Sequence, residues 1–278
     1  MCVAKTPLVL YFLYKICAML TEPKAIVRAL LSPFIGHRKA KNWQEALKKS
    51  SGWSSEKTLK HDSQFQFNEW SNEIDSVFVL DERFMQIATA FMSIDQQPGL
   101  NGLRSISVLD IGGGFGKYFF LLRRFCPNVA WTWVVVETEA QCKSIPEELK
   151  STNGISFRSD IPTDQNFDVG LLSGVIEYVE HPFELLELVS SICEAVILNR
   201  TPLTPFDNDL VAIQRPGLFN SRGSYPLHMF SEENFIKKIE ALGEISMRWF
   251  VPQDSPVIRF HHFPQQGLVF RSRRLSSV

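Results

Sequence analysis

The chain has 278 residues, of which 45% are apolar, which is enough for one full α/β domain and an additional segment. Its 29 lysines and arginines nearly balance 30 aspartates and glutamates, so no overall charge favours nucleic acid as a partner. The five cysteines are odd in number and lack C-x-x-C spacing, so neither a zinc site nor a disulfide framework is indicated. We therefore expect a protein of the reducing cytoplasm, with no bound metal.

The first part of the chain, residues 1–100, predicts an N-terminal helical extension. Its apolar run over residues 7–20 is shorter than the ~20 residues that a membrane-spanning helix needs. The run ends in Cys17-Ala18-Met19-Leu20, a poor cleavage site for a signal peptide. With the basic residues that follow, residues 7–31 can dock on the protein's own domain, mediate self-association or lie on a membrane surface. We expect docking.

Two further helical stretches are predicted before residue 101. Asn42 followed by Glu45 has the form of a helix N-cap, and the helix should run to about Lys49. The hydrophobic pattern from residue 65 to residue 94 predicts one or two more helices. Their expected buried residues are Phe78, Phe84, Met85, Ala88 and Phe91. These helices would form a cap beside the second domain, residues 101–278.

A glycine-rich turn opens the second domain. An apolar run over residues 106–111 contains Asp110 near its end, and Gly112, Gly114 and Gly116 follow at alternate positions. This pattern predicts a buried strand, a tight turn and a helix that starts at the turn.

The residues around this turn restrict the ligand that it can bind. A dinucleotide fingerprint that starts at Gly112 would need glycine at position 117, where the chain has Lys117. The carboxylate of Asp110 would repel a pyrophosphate but attract a cationic amino group. We therefore expect a cofactor that carries positive charge and no phosphate.

Residues 108–116, Val-Leu-Asp-Ile-Gly-Gly-Gly-Phe-Gly, resemble the first motif of class I methyltransferases that use S-adenosyl-L-methionine (SAM). SAM has the expected ammonium and sulfonium charges. The resemblance implies a Rossmann-like α/β fold, with a mostly parallel seven-stranded sheet and helices on both faces. It also places Asp110, Gly112, Gly114 and Gly116 at the cofactor.

Acidic residues follow the next two predicted strands. The strand over residues 131–136 ends in Glu137, one βαβ unit after Asp110, where a carboxylate can accept hydrogen bonds from both ribose hydroxyls. The short strand over residues 154–158 is followed by Asp160. In methyltransferases of this type an acid here often binds the adenine amino group, so the resemblance makes Asp160 a cofactor candidate.

The fourth predicted strand, residues 167–172, leads into Ser173 and Gly174 and resembles the fourth methyltransferase motif. Ligands of parallel sheets bind outside the carboxyl ends of the strands, so Ser173 is a further cofactor candidate. His181 precedes Pro182 at the start of a predicted helix. It is either a helix N-cap or a general base.

The residues that would bind the methyl acceptor are predicted to lie after the fifth strand. Arg200 follows the strand over residues 195–199, and its guanidinium fork matches a phosphate or carboxylate on a substrate. Residues 203–228 predict a long substrate loop, in which His228 is a second candidate for the general base. Ser231 should cap a helix that ends before Gly243, and residues 244–251 and 267–271 should pair as the final hairpin partners.

A second resemblance is narrower. Residues 42–46, Asn-Trp-Gln-Glu-Ala, together with the glycine motif, residues 199–202 and residues 224–226, are similar to bacterial methyltransferases found with surface-polysaccharide biosynthesis genes. This implies O-methylation of a sugar or another small-molecule hydroxyl. Two alternatives remain: a catalytically inactive, partner-binding subunit, and an NAD-dependent oxidoreductase, with which Asp110 and Lys117 conflict.

Overall fold

The computed structural model describes residues 36–52, 82–94, 104–215, 223–251, 257–258, 261–262 and 265–273. The predicted docking segment, residues 7–31, and the predicted cap residue Phe78 lie outside these ranges. No helix in the described ranges is both long and apolar enough to cross a bilayer.

The described residues form twelve strands and seven α-helices, numbered here in chain order. The strands are β1 (Gly36–Ala40), β2 (Arg104–Ile111), β3 (Val129–Val136), β4 (Ile155–Arg158), β5 (Phe167–Ser173), β6 (Cys193–Thr204), β7 (Leu210–Arg215), β8 (Tyr225–Ser231), β9 (Gly243–Val251), β10 (Val257–Ile258), β11 (His261–His262) and β12 (Gln265–Ser272). The helices are α1 (Trp43–Lys48), α2 (Glu82–Ile94), α3 (Lys117–Phe125), α4 (Glu139–Ser144), α5 (Glu147–Lys150), α6 (Pro182–Ile192) and α7 (Glu232–Leu242).

Seven strands form the central sheet in the order β4-β3-β2-β5-β6-β12-β9. Strands β2 to β6 pair in parallel, and β12 runs antiparallel between β6 and β9. This is the strand order of the Rossmann-like methyltransferase fold, and it confirms the predicted fold class. The predicted pairing of the last two strands is also confirmed.

Both faces of the central sheet are covered by helices, because its parallel strands are apolar on both sides. On one face, Phe84 of α2 and Phe119 of α3 pack with Trp133 of β3. On the other face, Leu186 of α6 and Phe235 of α7 pack against β5 and β6.

The carboxyl ends of β2, β3 and β5 lie level with one another. Asp110 on β2 is in register with Val135 on β3 and with Leu171 on β5. At the opposite end, the Asp168 carboxylate accepts hydrogen bonds from the Ser107 backbone N–H (2.6 Å) and hydroxyl (2.7 Å). The parallel register therefore brings the segments after these strands to a single edge.

The region beyond the fifth strand was predicted wrongly as one long loop. Strand β6 extends to Thr204, and within residues 203–228 the chain forms β7 and the start of β8. These strands make an antiparallel extension of the sheet, in the order β1-β7-β8, which joins β6 at Leu203 and Thr204. The pattern was missed because each strand mixes apolar and polar residues and β8 contains Pro226, which is untypical of strands.

Three local expectations about helices can be compared with the structure. Asn42 caps α1 by accepting a hydrogen bond from the Glu45 N–H at 2.9 Å, as predicted. Ser231 likewise caps α7. Met85 was expected to be buried but is 38% exposed, because it lies on the outward side of α2. Strand β1 was not predicted, because its polar and basic residues do not form the apolar pattern of a buried strand. Charged residues of this kind are common on edge strands.

Candidate functional site

The glycine-rich turn lies between β2 and α3 and has the backbone that its sequence requires. Gly112, Gly114 and Gly116 have φ angles of 66°, 60° and 79°, values that side-chain-bearing residues rarely adopt. A Cβ atom on Gly112 would also lie 2.4 Å from Val175 Cγ2. A Cβ atom on Gly114 would meet no atom of the described residues within 4 Å. The turn therefore has one open position, at Gly114, where a ligand can approach the backbone.

Glu137 lies beside this open position. Its Oε1 accepts a hydrogen bond from the Gly114 N–H at 3.0 Å, and its Oε2 accepts one from the Thr138 N–H at 3.0 Å. Burial raises the pKa of Glu137, and the two backbone donors oppose that rise. The structure thus brings together the turn and the acid that the sequence predicted as its partner.

Asp110 is only 1% exposed and lies beneath the turn. Its Oδ2 accepts a hydrogen bond from Trp133 Nε1 at 3.0 Å. A Cβ atom on Gly113 would lie 2.3 Å from the same oxygen, so this fourth glycine is needed for the carboxylate to fit. The pKa of Asp110 is raised to about 7, chiefly by burial; the Trp133 hydrogen bond opposes this rise and the Glu137 charge adds to it.

Asp160 follows β4, next to Glu137 at the same edge of the sheet. The Glu137 N–H donates to the Arg158 carbonyl at 3.0 Å, which ties the two strand ends together. The Asp160 side chain is 69% exposed and forms an ion pair with Arg158, whose guanidinium lowers the pKa of Asp160. The three acids therefore lie at the carboxyl ends of adjacent strands, with Asp110 the most buried and Asp160 the most exposed.

Ser173, at the end of β5, belongs to a chain of polar side chains. Its Oγ lies 3.3 Å from the Tyr118 hydroxyl and accepts a hydrogen bond from Asn199 Nδ2 at 3.2 Å. Asn199 Oδ1 in turn accepts one from Trp249 Nε1 at 3.1 Å. The sequence did not single out Tyr118, Asn199 or Trp249, because their connection depends on how distant strands pair.

Arg200 lies next to this chain of side chains. It has a φ of 63° and is the single non-glycine residue with positive φ among those described. A Cβ atom on Gly174 would lie 3.0 Å from Arg200 Nη1 and 3.1 Å from its Cζ. The guanidinium therefore packs closely on Gly174, directly after the end of β5.

His228 lies on β8, stacked between two aromatic rings. The ring centroids of His228 and Trp43 are 4.3 Å apart, with an interplanar angle of 6°. Those of His228 and Phe230 are 5.7 Å apart, with an interplanar angle of 18°. Its Nε2 is buried and has no hydrogen-bond partner among the described residues. Burial lowers the pKa of His228, while the Asp209 charge and the backbone of residues 179–180 act in the opposite direction. The imidazole is therefore neutral near pH 7 and faces the segment that follows β5.

His181 occupies the N-cap position of α6 but makes no side-chain capping bond. Its side chain is 66% exposed, and Nδ1 lies 3.6 Å from Glu184 Oε1. The two candidate bases thus differ in environment: His181 is on the surface, whereas His228 is enclosed.

No protein-family model matches this chain, and no curated protein sequence matches it. Solved structures of SAM-dependent methyltransferases resemble it in fold. The N-terminal domain of EvdMO1, solved in the presence of S-adenosyl-L-homocysteine (SAH) and D-fucose, is 15% identical, with 76% of this chain and 97% of that chain covered and a TM-score of 0.47. Human N-acetylserotonin methyltransferase in complex with SAM is 14% identical, with 79% of this chain and 57% of that chain covered and a TM-score of 0.48.

The N-methyltransferase NodS from Bradyrhizobium japonicum WM9, in complex with SAH, is 13% identical, with 74% of this chain and 98% of that chain covered and a TM-score of 0.43. At such identities these likenesses concern the fold alone. The chemistry of this chain therefore depends on its own residues at the carboxyl edge of the sheet.

Proposed function

We propose that this protein is a SAM-dependent methyltransferase that methylates the hydroxyl oxygen of a sugar or another small molecule. One observation carries the proposal: the Gly114 N–H of the open glycine turn donates to the Glu137 carboxylate. In a dinucleotide site the N–H groups of such a turn face a pyrophosphate. Here the Glu137 carboxylate lies at that place and would repel a pyrophosphate, which disfavours the oxidoreductase alternative.

The residues at this edge fit the charge and shape of SAM. Glu137 presents carboxylate oxygens that can accept hydrogen bonds from ribose hydroxyls. The open position at Gly114 leaves room for a ligand against the backbone. Asp110 adds a second acid, whose charged form favours a cation. Ser173 and Asp160 complete the proposed cofactor set, with Asp160 exposed enough to reach an adenine amino group.

SAM supplies a methyl group that its sulfonium already makes electrophilic. The task of the chain is then to hold the acceptor oxygen in line with that group and to exclude water. Orientation of this kind can contribute roughly 7 to 11 kcal/mol to the lowering of a barrier. The acceptor would lie at the ends of β5 and β6, near Arg200 and the β7-β8 pair.

His228 is the base that the geometry supports best for a hydroxyl acceptor. Its lowered pKa keeps Nε2 available to accept a proton near pH 7, and the stacking with Trp43 and Phe230 fixes the ring plane. A positioned histidine base typically contributes ~10²- to 10⁴-fold to rate. His181 remains a second candidate, which a comparison of variants separates.

The similarity of residues 42–46 and 199–202 to methyltransferases found with surface-polysaccharide genes favours a sugar hydroxyl as acceptor. Residues 42–46 include Trp43, which stacks on His228, so this segment lies beside the proposed base. We also propose a cytoplasmic location, with residues 7–31 as a site of docking, self-association or peripheral membrane contact.

Calorimetric titration of the full chain with SAH and, separately, with NAD tests the proposal. We expect SAH to bind and NAD not to bind, and we expect Glu137→Gln to weaken SAH at least tenfold. SAH binding without methyl transfer to any of a broad set of sugars and sugar nucleotides would favour the inactive-subunit alternative. No heat with SAH would refute the assignment.

A further inference from the structure

Strand β6 contains an irregularity at the edge where the acceptor is proposed to bind. Its pairing with β12 matches Leu198 with Leu268 but then Thr201 with Gln266. Asn199 and Arg200 therefore lie opposite Gly267 alone. Two residues facing one is a β-bulge, a feature that is common beside active sites and that redirects a side chain.

The bulge holds Arg200 in an unfavourable backbone conformation. A φ of 63° is unfavourable in a residue with a side chain and persists only where the surroundings enforce it. Such strain is concentrated at functional sites, so its presence in this one residue calls for a functional explanation.

Trp249 and Asn199 make close contacts at the bulge. The Trp249 indole lies directly over Gly267, where a Cβ atom would come within 2.0 Å of Trp249 Cε2. From there Nε1 donates to Asn199 Oδ1 at 3.1 Å. The fully buried Asn199 also binds β5 twice: its Nδ2 donates to Ser173 Oγ at 3.2 Å, and its carbonyl accepts from the Gly174 N–H at 2.9 Å.

Two successive residues of β6 therefore contact the same segment, which is the last residue of β5 and the residue after it. In a regular strand, neighbouring side chains point to opposite faces of the sheet. Here the Asn199 side chain reaches Ser173, and the Arg200 guanidinium packs on Gly174. The bulge thus brings the positive charge of Arg200 to the carboxyl end of β5.

The three acids of the proposed cofactor set, Asp110, Glu137 and Asp160, lie at the carboxyl ends of β2, β3 and β4. The segment after β5 carries a further acid, the fully buried Glu177. Arg200 lies on the other side of β2, beyond β5. A guanidinium in a fixed orientation suits the planar, two-oxygen face of a carboxylate or phosphate.

We propose that the β6 bulge forms an oxyanion subsite in which Arg200 binds a carboxylate or phosphate group of the methyl acceptor. Asn199 and Trp249 act as positioning residues that fix the direction of the guanidinium. The inference rests on the proposed function, because it identifies the substrate class of the same site: the acceptor is an acidic sugar or a sugar phosphate rather than a neutral sugar.

The first test observes Arg200 itself. SAH-saturated protein is titrated with inorganic phosphate and with acetate, and the arginine Nε–H signals are followed by NMR, with Arg200→Lys used to assign the Arg200 signal. We expect a saturable shift of the Arg200 signal and none for exposed Arg123. An Arg200 signal unmoved by either anion overturns the proposal. The same titration can be run if SAH fails to bind, so the two failures are distinguishable.

The second test identifies the source of the oxyanion. Calorimetry compares D-glucose 1-phosphate, D-glucuronate and neutral D-glucose on SAH-saturated protein. We expect at least a tenfold preference for one anionic sugar, which shows whether phosphate or carboxylate is favoured. Arg200→Gln should abolish the preference, while the charge-matched control Arg123→Gln should retain it. Equal affinity for all three sugars, or no binding of the two anionic ones, contradicts the proposal.

The positioning role is tested with Trp249→Phe, which keeps a ring over Gly267 but removes the donor to Asn199. We expect the anionic preference to fall several-fold, with smaller changes in the affinities for neutral D-glucose and SAH. A merely structural role would instead weaken all three sugars and SAH together, and that outcome would rule out the positioning role.

Discussion

Asp110 should give the protein a pH dependence of stability that one substitution removes. Its pKa rises from 3.8 to about 7 on folding because the carboxyl is buried. At ~1.36 kcal/mol per pH unit, this difference corresponds to ~4 kcal/mol. The folded state binds the Asp110 proton more tightly than the unfolded state does. The stabilising contribution is therefore complete below about pH 4 and is lost as the pH rises through about 7.

The assay is urea unfolding of the cofactor-free protein between pH 5 and 8.5, with wild type compared with Asp110→Asn. The amide oxygen of asparagine can still accept the Trp133 hydrogen bond, so the substitution removes the titration and little else. We expect the free energy of unfolding of the wild type to fall across this range by roughly 3 kcal/mol more than that of the variant.

Asp160→Asn is the matched control. The pKa of Asp160 is lowered by Arg158, so its contribution to stability changes only as the pH falls below the usual range of an aspartate. Its curve should therefore run parallel to that of the wild type from pH 5 to 8.5. Parallel curves for wild type and Asp110→Asn would refute the account of a buried, proton-binding Asp110.

Three further outcomes are expected. SAH affinity, measured by calorimetry, should rise with pH through about 7 in the wild type, because the charged form of Asp110 favours a cation, and a flat profile would contradict this. Gly114→Ala should lose at least tenfold in SAH affinity, because no described residue fills the space that its Cβ would take, and the φ of 60° at this position should also lower the melting temperature. Gly113→Ala should lower the melting temperature, because its Cβ would meet Asp110 Oδ2 at 2.3 Å. His228→Gln should slow methyl transfer ~10²- to 10⁴-fold at saturating SAM, whereas exposed His181→Gln should leave the rate within a few-fold, and the reverse order would identify His181 as the base.

The central sheet could be predicted from sequence because its signals are local. A buried parallel strand is a short apolar run, and β2, β3 and β5 are each followed directly by a glycine or an acidic residue. The caps at Asn42 and Ser231 are equally local, since donor and acceptor are three residues apart. Glu137 could be placed because a βαβ unit has a characteristic length.

The acceptor side could not be predicted in the same way. The bulge at Arg200 is defined by the pairing of β6 with β12, which are far apart in the sequence, and the Trp249 hydrogen bond to Asn199 involves a third strand. The contact between Trp133 and Asp110 likewise depends on the register of two parallel strands. Strands β7 and β8 mix polar and apolar residues, so the pattern alone favoured a loop.

A crystal structure of the full chain with SAH would show directly whether this edge binds the cofactor. We expect SAH at the carboxyl edge of the sheet, close to the Gly114 backbone, with its ribose hydroxyls within hydrogen-bond distance of the Glu137 carboxylate. SAH bound elsewhere, or a ribose without contact to Glu137, would contradict the claim that this edge is the cofactor site.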